Sequence, residues 1–257
     1  FVSGPPGTGK THIYLIDKYK ELLKKYSPEK IIMLSHTNVA ADELKDAILK
    51  LPEMIERGLR KKFFKYKICT IHAFCKSKLL KKELITYADY LNLCAENSGF
   101  KAQRVTQSEF DNDKHKFFKF LSDSFGQGRT IREHWNSLRE TSSNYYPYNN
   151  FRMIYEMKEV YDNYKKVNQV CDYNDMIKDF IDHAVVPDID VLIVDEAQDS
   201  NVPQIKALEK MSTNVKEYYM VGDADQTIFE FAGANADYFH KLSKDAEQLE
   251  DGLRCGE

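Results

Sequence analysis

No apolar run in this chain is longer than a β-strand needs, so nothing in it is suited to span a membrane. A charged-then-apolar leader is missing as well, and a reduced, cytoplasmic setting is expected. Cysteine is sparse: the five (Cys69, Cys75, Cys94, Cys171, Cys255) are odd in number and form no C-x-x-C pair. That pattern supports neither a disulfide framework nor a zinc site. The seven histidines include no H-E-x-x-H, so no protein-built metal centre is expected. There is no low-complexity tract, no internal repeat and no initiator methionine, and Phe1 reads as a cut end. Nor is there an excess of positive charge; the net of −3 by itself speaks against a nucleic-acid binder. What remains is an ordinary globular composition, 42% hydrophobic and 30% charged, with 257 residues to fill one large or two modest domains.

The distribution of charge says more than its sum. From Arg57 to Lys82 there are ten lysines and arginines and no acid. A solvated basic helix face is one reading of such a run. Phe63, Phe64, Tyr66 and Phe74, interleaved with the charges, favour another: a groove that tracks a phosphate backbone and offers rings for stacking.

Five short segments rich in Val, Ile, Met and Tyr read as strands buried on both faces, the mark of a parallel sheet. They are FVSG (1–4), KIIMLS (30–35), YKICTI (66–71), VLIVD (191–195) and EYYMVGD (217–223). Amphipathic helix patterns follow the first (HIYLIDKYKELLKKY), the second (NVAADELKDAILKL) and the fourth (VPQIKALEKM). Strand and helix in alternation predict a doubly wound α/β fold. Residues 80–168 carry helical periodicity and no convincing buried strand, so they read as a mostly helical insertion whose Trp135 and other aromatics form a small core of their own. The expected division is therefore 1–79 and 169–257 for the α/β domain and 80–168 for the insertion.

Each polar motif falls just past the carboxyl end of an expected strand, the edge along which ligands bind in open α/β sheets. GPPGTGKT (4–11) is a G-x-x-x-x-G-K-T phosphate loop: Gly4, Gly7 and Gly9 let the backbone wrap, and the amides of Gly7, Thr8 and Gly9 face phosphate oxygens. Lys10 bridges the β- and γ-phosphates of a nucleotide, and the Thr11 hydroxyl ligates Mg²⁺. In VLIVDEAQDS the strand delivers Asp195 for a water-mediated Mg²⁺ contact and Glu196 to orient and deprotonate the attacking water. Gln226 follows the last strand, where its amide can sense the γ-phosphate. Phe229 and Phe231, just downstream, suit either core packing or the faces of nucleic-acid bases. Thr37 and Asn38, and likewise Thr70 and His72, stand ahead of helices, where capping alone accounts for them. Asp172 and Asp175 have capping-box spacing.

Taken in order, these segments resemble the UvrD/Rep-like superfamily 1 DNA helicases. GPPGTGKT looks like their motif I, HTNVAADEL like Ia, TIHAF like Ib, and CDYNDMI like the D-[FY]-x-D-L segment. VDEAQD resembles motif II, VGDADQTIFEFAGA motif III, and LEDGLRCG a weakened motif IV. The resemblance implies a RecA-like P-loop NTPase domain with a helical insertion, using ATP and Mg²⁺ to step 3′ to 5′ along single-stranded DNA or from a 3′-tailed duplex. It implies that Lys10, Thr11, Asp195 and Glu196 handle the nucleotide and Mg²⁺, that Gln198 couples them to DNA, and that Gln226 and Arg254 read the γ-phosphate. It further implies that His36, Thr37, Asn38, Thr70, His72, Phe229 and Phe231 line the strand's path. This chain departs from the family at His36 (often Phe), at Ala232 (usually Arg), and at Gly252 and Leu253 (usually Asn and Tyr). The second RecA-like domain lies beyond the sequence, so these residues alone are expected to bind ATP weakly and hydrolyse it barely. A helicase–nuclease subunit and an ATP-switched DNA-binding module are the two rival readings.

Overall fold

The structure is a computed structural model that describes residues 2–3, 14–79, 82–112, 115–141, 150–222 and 247–248. Along the chain come β1 (Val2–Ser3), α1 (Leu15–Leu23), β2 (Ile31–Ser35), α2 (Asn38–Leu49), α3 (Pro52–Glu56), β3 (Ile68–Thr70) and α4 (Ile71–Ser77). Next are β4 (Glu83–Leu84), α5 (Tyr87–Glu96), α6 (Ser98–Lys101), α7 (Gln107–Asp111), α8 (Lys116–Gly126), α9 (Ile131–Thr141), α10 (Phe151–Asn168), β5 (Val170–Cys171) and α11 (Tyr173–His183). The described elements end with β6 (Val191–Val194), α12 (Val202–Ser212), β7 (Glu217–Gly222) and β8 (Glu247–Gln248). Contacts divide the chain into two compact units, Phe1–Leu79 with Asp179–Glu257, and Leu80–Lys178.

The first unit holds a six-stranded sheet in the order β3-β2-β6-β7-β1-β8, and the pairings are parallel throughout. All five expected strands form. The wholly buried runs Ile31–Ser35 and Val191–Val194 explain why. A strand covered on both faces needs apolar residues at every position, and β-branched side chains fit that pleated surface. One face of the sheet packs Ile31, Met33, Ile68, Val191, Ile193 and Val221 against Leu15, Tyr19 and Leu22 of α1 and Leu44 and Ile48 of α2. The spacing of those helical residues, three or four apart, is the stripe an amphipathic helix buries. Each such side chain withdrawn from water contributes about 1.5–3 kcal/mol.

Helix starts are written locally. Thr37 caps α2 by accepting from the Ala40 amide (3.1 Å), and Thr70 caps α4 through Ala73 (3.2 Å). Asn201 and Gln204 form a reciprocal capping box at α12, with Pro203 in its first turn, where the missing N–H costs nothing. These caps place the helix N-termini, and the residues ahead of them, at the carboxyl ends of the strands.

The second unit packs Tyr90, Leu93, Phe100, Phe117, Phe120, Ile154, Met157 and Tyr161 into a core of its own, with Trp135 partly buried against it. Capping boxes start α5 (Thr86, Asp89) and α7 (Thr106, Glu109). Two residues each of β4 and β5 pair in parallel. At the start of α11, Asp172 and Asp175 satisfy each other's amides at 3.0 and 2.8 Å, the capping box their spacing predicts. Lys165 adds what spacing could not show, reaching both carboxylates at 2.8 Å. Burial pulls the Lys165 pKa down, but the Asp172 and Asp175 charges outweigh it and hold the ammonium above its usual range.

Candidate functional site

Because the strands run in parallel, their carboxyl ends share one edge, and sheet order fixes what meets there. From β3 come Thr70 and His72; from β2, His36, Thr37 and Asn38; from β6, Asp195 to Ser200; from β7, Gly222; from β1, Ser3. Neighbouring strands lie about 4.8 Å apart, so β2 and β1, with β6 and β7 between them, are about 14 Å apart. The segment from Asp195 to Ser200 therefore stands between two groups of residues that the sequence keeps far apart.

Asp195 follows directly on β6. Its amide donates to the Leu34 carbonyl at 2.8 Å, which fixes the backbone to β2, and the residue is 2% exposed. Glu196 then takes a left-handed conformation (φ 50°, ψ 44°), rare for a residue with a side chain. Such a conformation costs of order 1–3 kcal/mol and persists where the surroundings impose it, often at functional sites. Its effect is to break the strand sharply into a 3₁₀ turn, Ala197–Asp199. Within that turn Gln198, 4% exposed, donates from Nε2 to Glu196 Oε2 at 2.8 Å and holds the carboxylate in place. The site is rich in negative charge: burial, with the Glu196 charge, pushes the Asp199 carboxyl up to about 6.

Gly222 explains how β7 takes part. Its φ is not in the left-handed region; what it supplies is space. A β-carbon there would stand 2.1 Å from Gln198 Oε1 and 3.2 Å from the Ala197 nitrogen. Gly222 is also the register partner of Ser3, the residue before the GPPGTGKT segment. One glycine thus brings together the strand end that precedes the phosphate-loop sequence and the turn that carries Glu196.

On the other side, His36 Nε2 lies 3.0 Å from the hydroxyl of Ser200, which is fully buried. Burial, helped by the nearby His72, holds the His36 pKa down to about 4, and burial does the same to His72. Both imidazoles are neutral at physiological pH. The His36 ring is thus tied to the Asp195–Ser200 segment. Thr37 and Asn38 are exposed beside it, as is Val39.

The family model described as UvrD/REP helicase N-terminal domain matches residues 1–247. The chain belongs to this UvrD/REP helicase family. It is similar to the ATP-dependent DNA helicase Rep of Buchnera aphidicola subsp. Baizongia pistaciae (strain Bp), at 27% identity over 97% of this chain and 38% of that protein. A probable DNA helicase II homolog of Mycoplasma pneumoniae is 26% identical over 93% of this chain and 34% of its own length. One of Mycoplasma genitalium is 28% identical over 89% and 34%. The chain spans roughly a third of the length of these curated relatives.

Several residues singled out in the sequence of this UvrD/REP-type domain lie outside the described ones: Gly4, Gly7, Thr8, Gly9, Lys10, Thr11, Gln226, Phe229, Phe231 and Arg254, with Ala232, Gly252, Leu253 and Cys255. The remaining candidates (His36, Thr37, Asn38, Thr70, His72, Asp195, Glu196, Gln198) all stand along the one edge. Two positions escaped notice, Ser200 and Gly222. A glycine closing a strand was a visible signal for the second; nothing local marked the first. Among the described residues no cluster of three His, Cys, Asp or Glu could hold a metal ion, and the four described cysteines are buried and outside any disulfide.

The reading of Arg57–Lys82 as a groove with stacking rings needs correction. Phe64 and Phe74 are fully buried, and Phe63 packs edge-on against Phe64 at 4.9 Å. Two of the four proposed platforms are core: Phe64 on the inner side of the turn that carries Lys61 and Lys62, and Phe74 on the buried side of α4 with Ile71 and Cys75. Of the four rings only Tyr66 is exposed.

Proposed function

We propose that the full-length protein is an ATP-driven DNA helicase or translocase that moves 3′ to 5′ on single-stranded DNA, and that this chain is its first nucleotide-binding domain. In this reading 1–79 and 169–257 form the RecA-like part and 80–168 its helical insertion, although by contacts residues 169–178 pack with the insertion. The observation that carries it is the order along the carboxyl edge. The Asp195–Ser200 segment stands between the strand ends leading to the phosphate loop and those presenting Thr37, Asn38, Thr70 and His72.

The donor set fits magnesium–nucleotide: a buried Asp195 beside Glu196, in a turn where burial, with the Glu196 charge, raises Asp199. Mg²⁺ commonly takes only one or two protein oxygens besides phosphates, and here Thr11 and Asp195 would hold it, with Gly4, Gly7, Thr8, Gly9 and Lys10 on the phosphates. When bound, the ion neutralises charge that builds on the transferring phosphoryl group. Glu196 takes the proton of the attacking water, and Gln198 keeps its carboxylate aimed. Gln226 and Arg254 sense the γ-phosphate. Thr37, Asn38, Thr70 and His72, with Phe229 and Phe231, hold the strand; His36 passes the strand's position to the hydrolytic turn through Ser200. The Gln198–Glu196 hydrogen bond favours a hydrolase over a module that only binds nucleotide.

Polarity tests this reading. Full-length protein with ATP is expected to unwind a duplex with a 3′ single-stranded tail and to leave a 5′-tailed one intact. Equal unwinding of both, or of neither, contradicts it.

A further inference from the structure

The sheet puts the first half of the basic run on the wrong side for the single-strand path. β3 runs parallel to β2, with Met33 opposite Ile68 and Ser35 opposite Thr70. Residues 57–67 enter β3 from its amino end, where the Met33 amide donates to the Lys67 carbonyl at 2.7 Å. Thr37, Asn38, Thr70 and His72 leave from the carboxyl ends. The twelve residues of α2 carry the chain about 17 Å from Asn38 before this basic segment begins. That is about twice the screening length at physiological salt, so these charges hardly act on a strand held at the other edge.

What stands there is strongly positive. Between Lys50 and Lys67 are seven lysines and arginines against two acids, Glu53 and Glu56. Lys61 is taken up by Asp46 at 3.1 Å and Asp42 at 3.9 Å, and Lys67 lies over the Phe63 ring at 4.4 Å. Arg57, Arg60, Lys62 and Lys65 point outward as exposed side chains, with Ile55 and Tyr66 beside them.

We propose that Arg57, Arg60, Lys62 and Lys65, on the amino edge of the sheet, form a second nucleic-acid contact that grips the phosphates of double-stranded DNA. For a protein that works on DNA, as proposed above, the partner follows from what the surface lacks. Single-strand binders place several rings in series for successive bases. Here Phe64 and Phe74 are core and Phe63 is covered by Lys67, leaving one exposed ring with the Lys65 ammonium 4.8 Å from its centroid. A charged face without platforms fits a duplex, whose bases are already stacked and whose phosphates are twice as dense along the axis.

The test uses the full-length protein with Arg57, Arg60, Lys62 and Lys65 all changed to Gln. These side chains are exposed, so folding should survive, and a Lys62→Arg, Lys65→Arg protein that keeps the charge should bind as the parent does. Blunt duplex binding is measured from 50 to 200 mM salt, beside binding of a ten-nucleotide single strand and strand-stimulated ATP hydrolysis. The log–log salt slope for duplex should become shallower by about 3.6, four contacts at 0.9 each. The short-strand affinity and the stimulated hydrolysis should not change. Unchanged duplex binding and slope overturn the proposal, as does a matching loss on the short strand, which would make the surface part of the same path. A surface that binds polyglutamate through these four residues while duplex binding is retained belongs to an acidic protein partner, and that also overturns it. If the parent protein neither binds the short strand nor is stimulated by it, the functional reading fails, while the duplex measurement still judges this surface.

Discussion

In the full-length protein, Glu196→Gln should lower the rate of strand-stimulated ATP hydrolysis by about 10²- to 10⁴-fold, the usual worth of a positioned general base, and abolish unwinding. Nucleotide affinity should stay within about twofold. The substitution is chosen for what it preserves. A glutamine side chain has the same shape, and its amide oxygen can still accept the hydrogen bond that Gln198 gives Glu196 at 2.8 Å. It suits the left-handed backbone at this position no less well than glutamate does. Only the ability to accept the water's proton is lost. Single-turnover hydrolysis and equilibrium nucleotide binding, measured on the same preparation, separate the two effects. A variant that hydrolyses at the parent's rate removes Glu196 from the role of base.

The second large effect is expected from Gly222→Ala, a single methyl group. At 2.1 Å from Gln198 Oε1 the new carbon cannot be tolerated. The Gln198 side chain can move more readily than the Ala197 backbone at 3.2 Å, so the fold should survive with a modest loss of stability. The movement breaks the Gln198–Glu196 hydrogen bond, and a hydrogen bond to a charged group contributes about 1.5–3 kcal/mol. Stimulated hydrolysis should therefore fall about 10- to 100-fold while the thermal midpoint changes little. A double-mutant cycle with Gln198→Ala identifies the route: if the methyl group acts through Gln198, the two losses will be strongly non-additive. Additive losses would show that Gly222 serves something else.

How far the sequence reveals this arrangement depends on the range over which each signal acts. The sheet was legible because a strand such as Ile31–Ser35, buried on both faces, must be apolar throughout, and that is visible in five letters. Caps were legible for the same reason, since Thr37 answers the amide of Ala40 and Asp172 that of Asp175. The placement of Asp195 and Glu196 followed from the strand before them. The contacts that couple the site were not legible. Gly222 meets Gln198, and His36 meets Ser200 across 164 residues of chain, and neither pairing leaves a local pattern. The two-residue strands β4, β5 and β8 are too short to show periodicity. Phe64 misled because a ring among lysines looks alike whether it turns outward to a base or inward to Met54 and Ile68, and tertiary packing alone chose the second.

The central claim is that nucleotide and DNA strand meet along one sheet edge and act on each other through the Asp195–Ser200 turn. Linkage tests it most directly, because coupling between two binding sites is reciprocal. With the hydrolysis-deficient Glu196→Gln full-length protein, the affinity for a fluorescent ATP analogue is titrated with and without a saturating single strand, and the strand's affinity with and without nucleotide. The two ratios should agree and exceed about fivefold, the lower end of typical coupling. Nucleotide affinity that is the same whether or not the strand is bound would contradict the account.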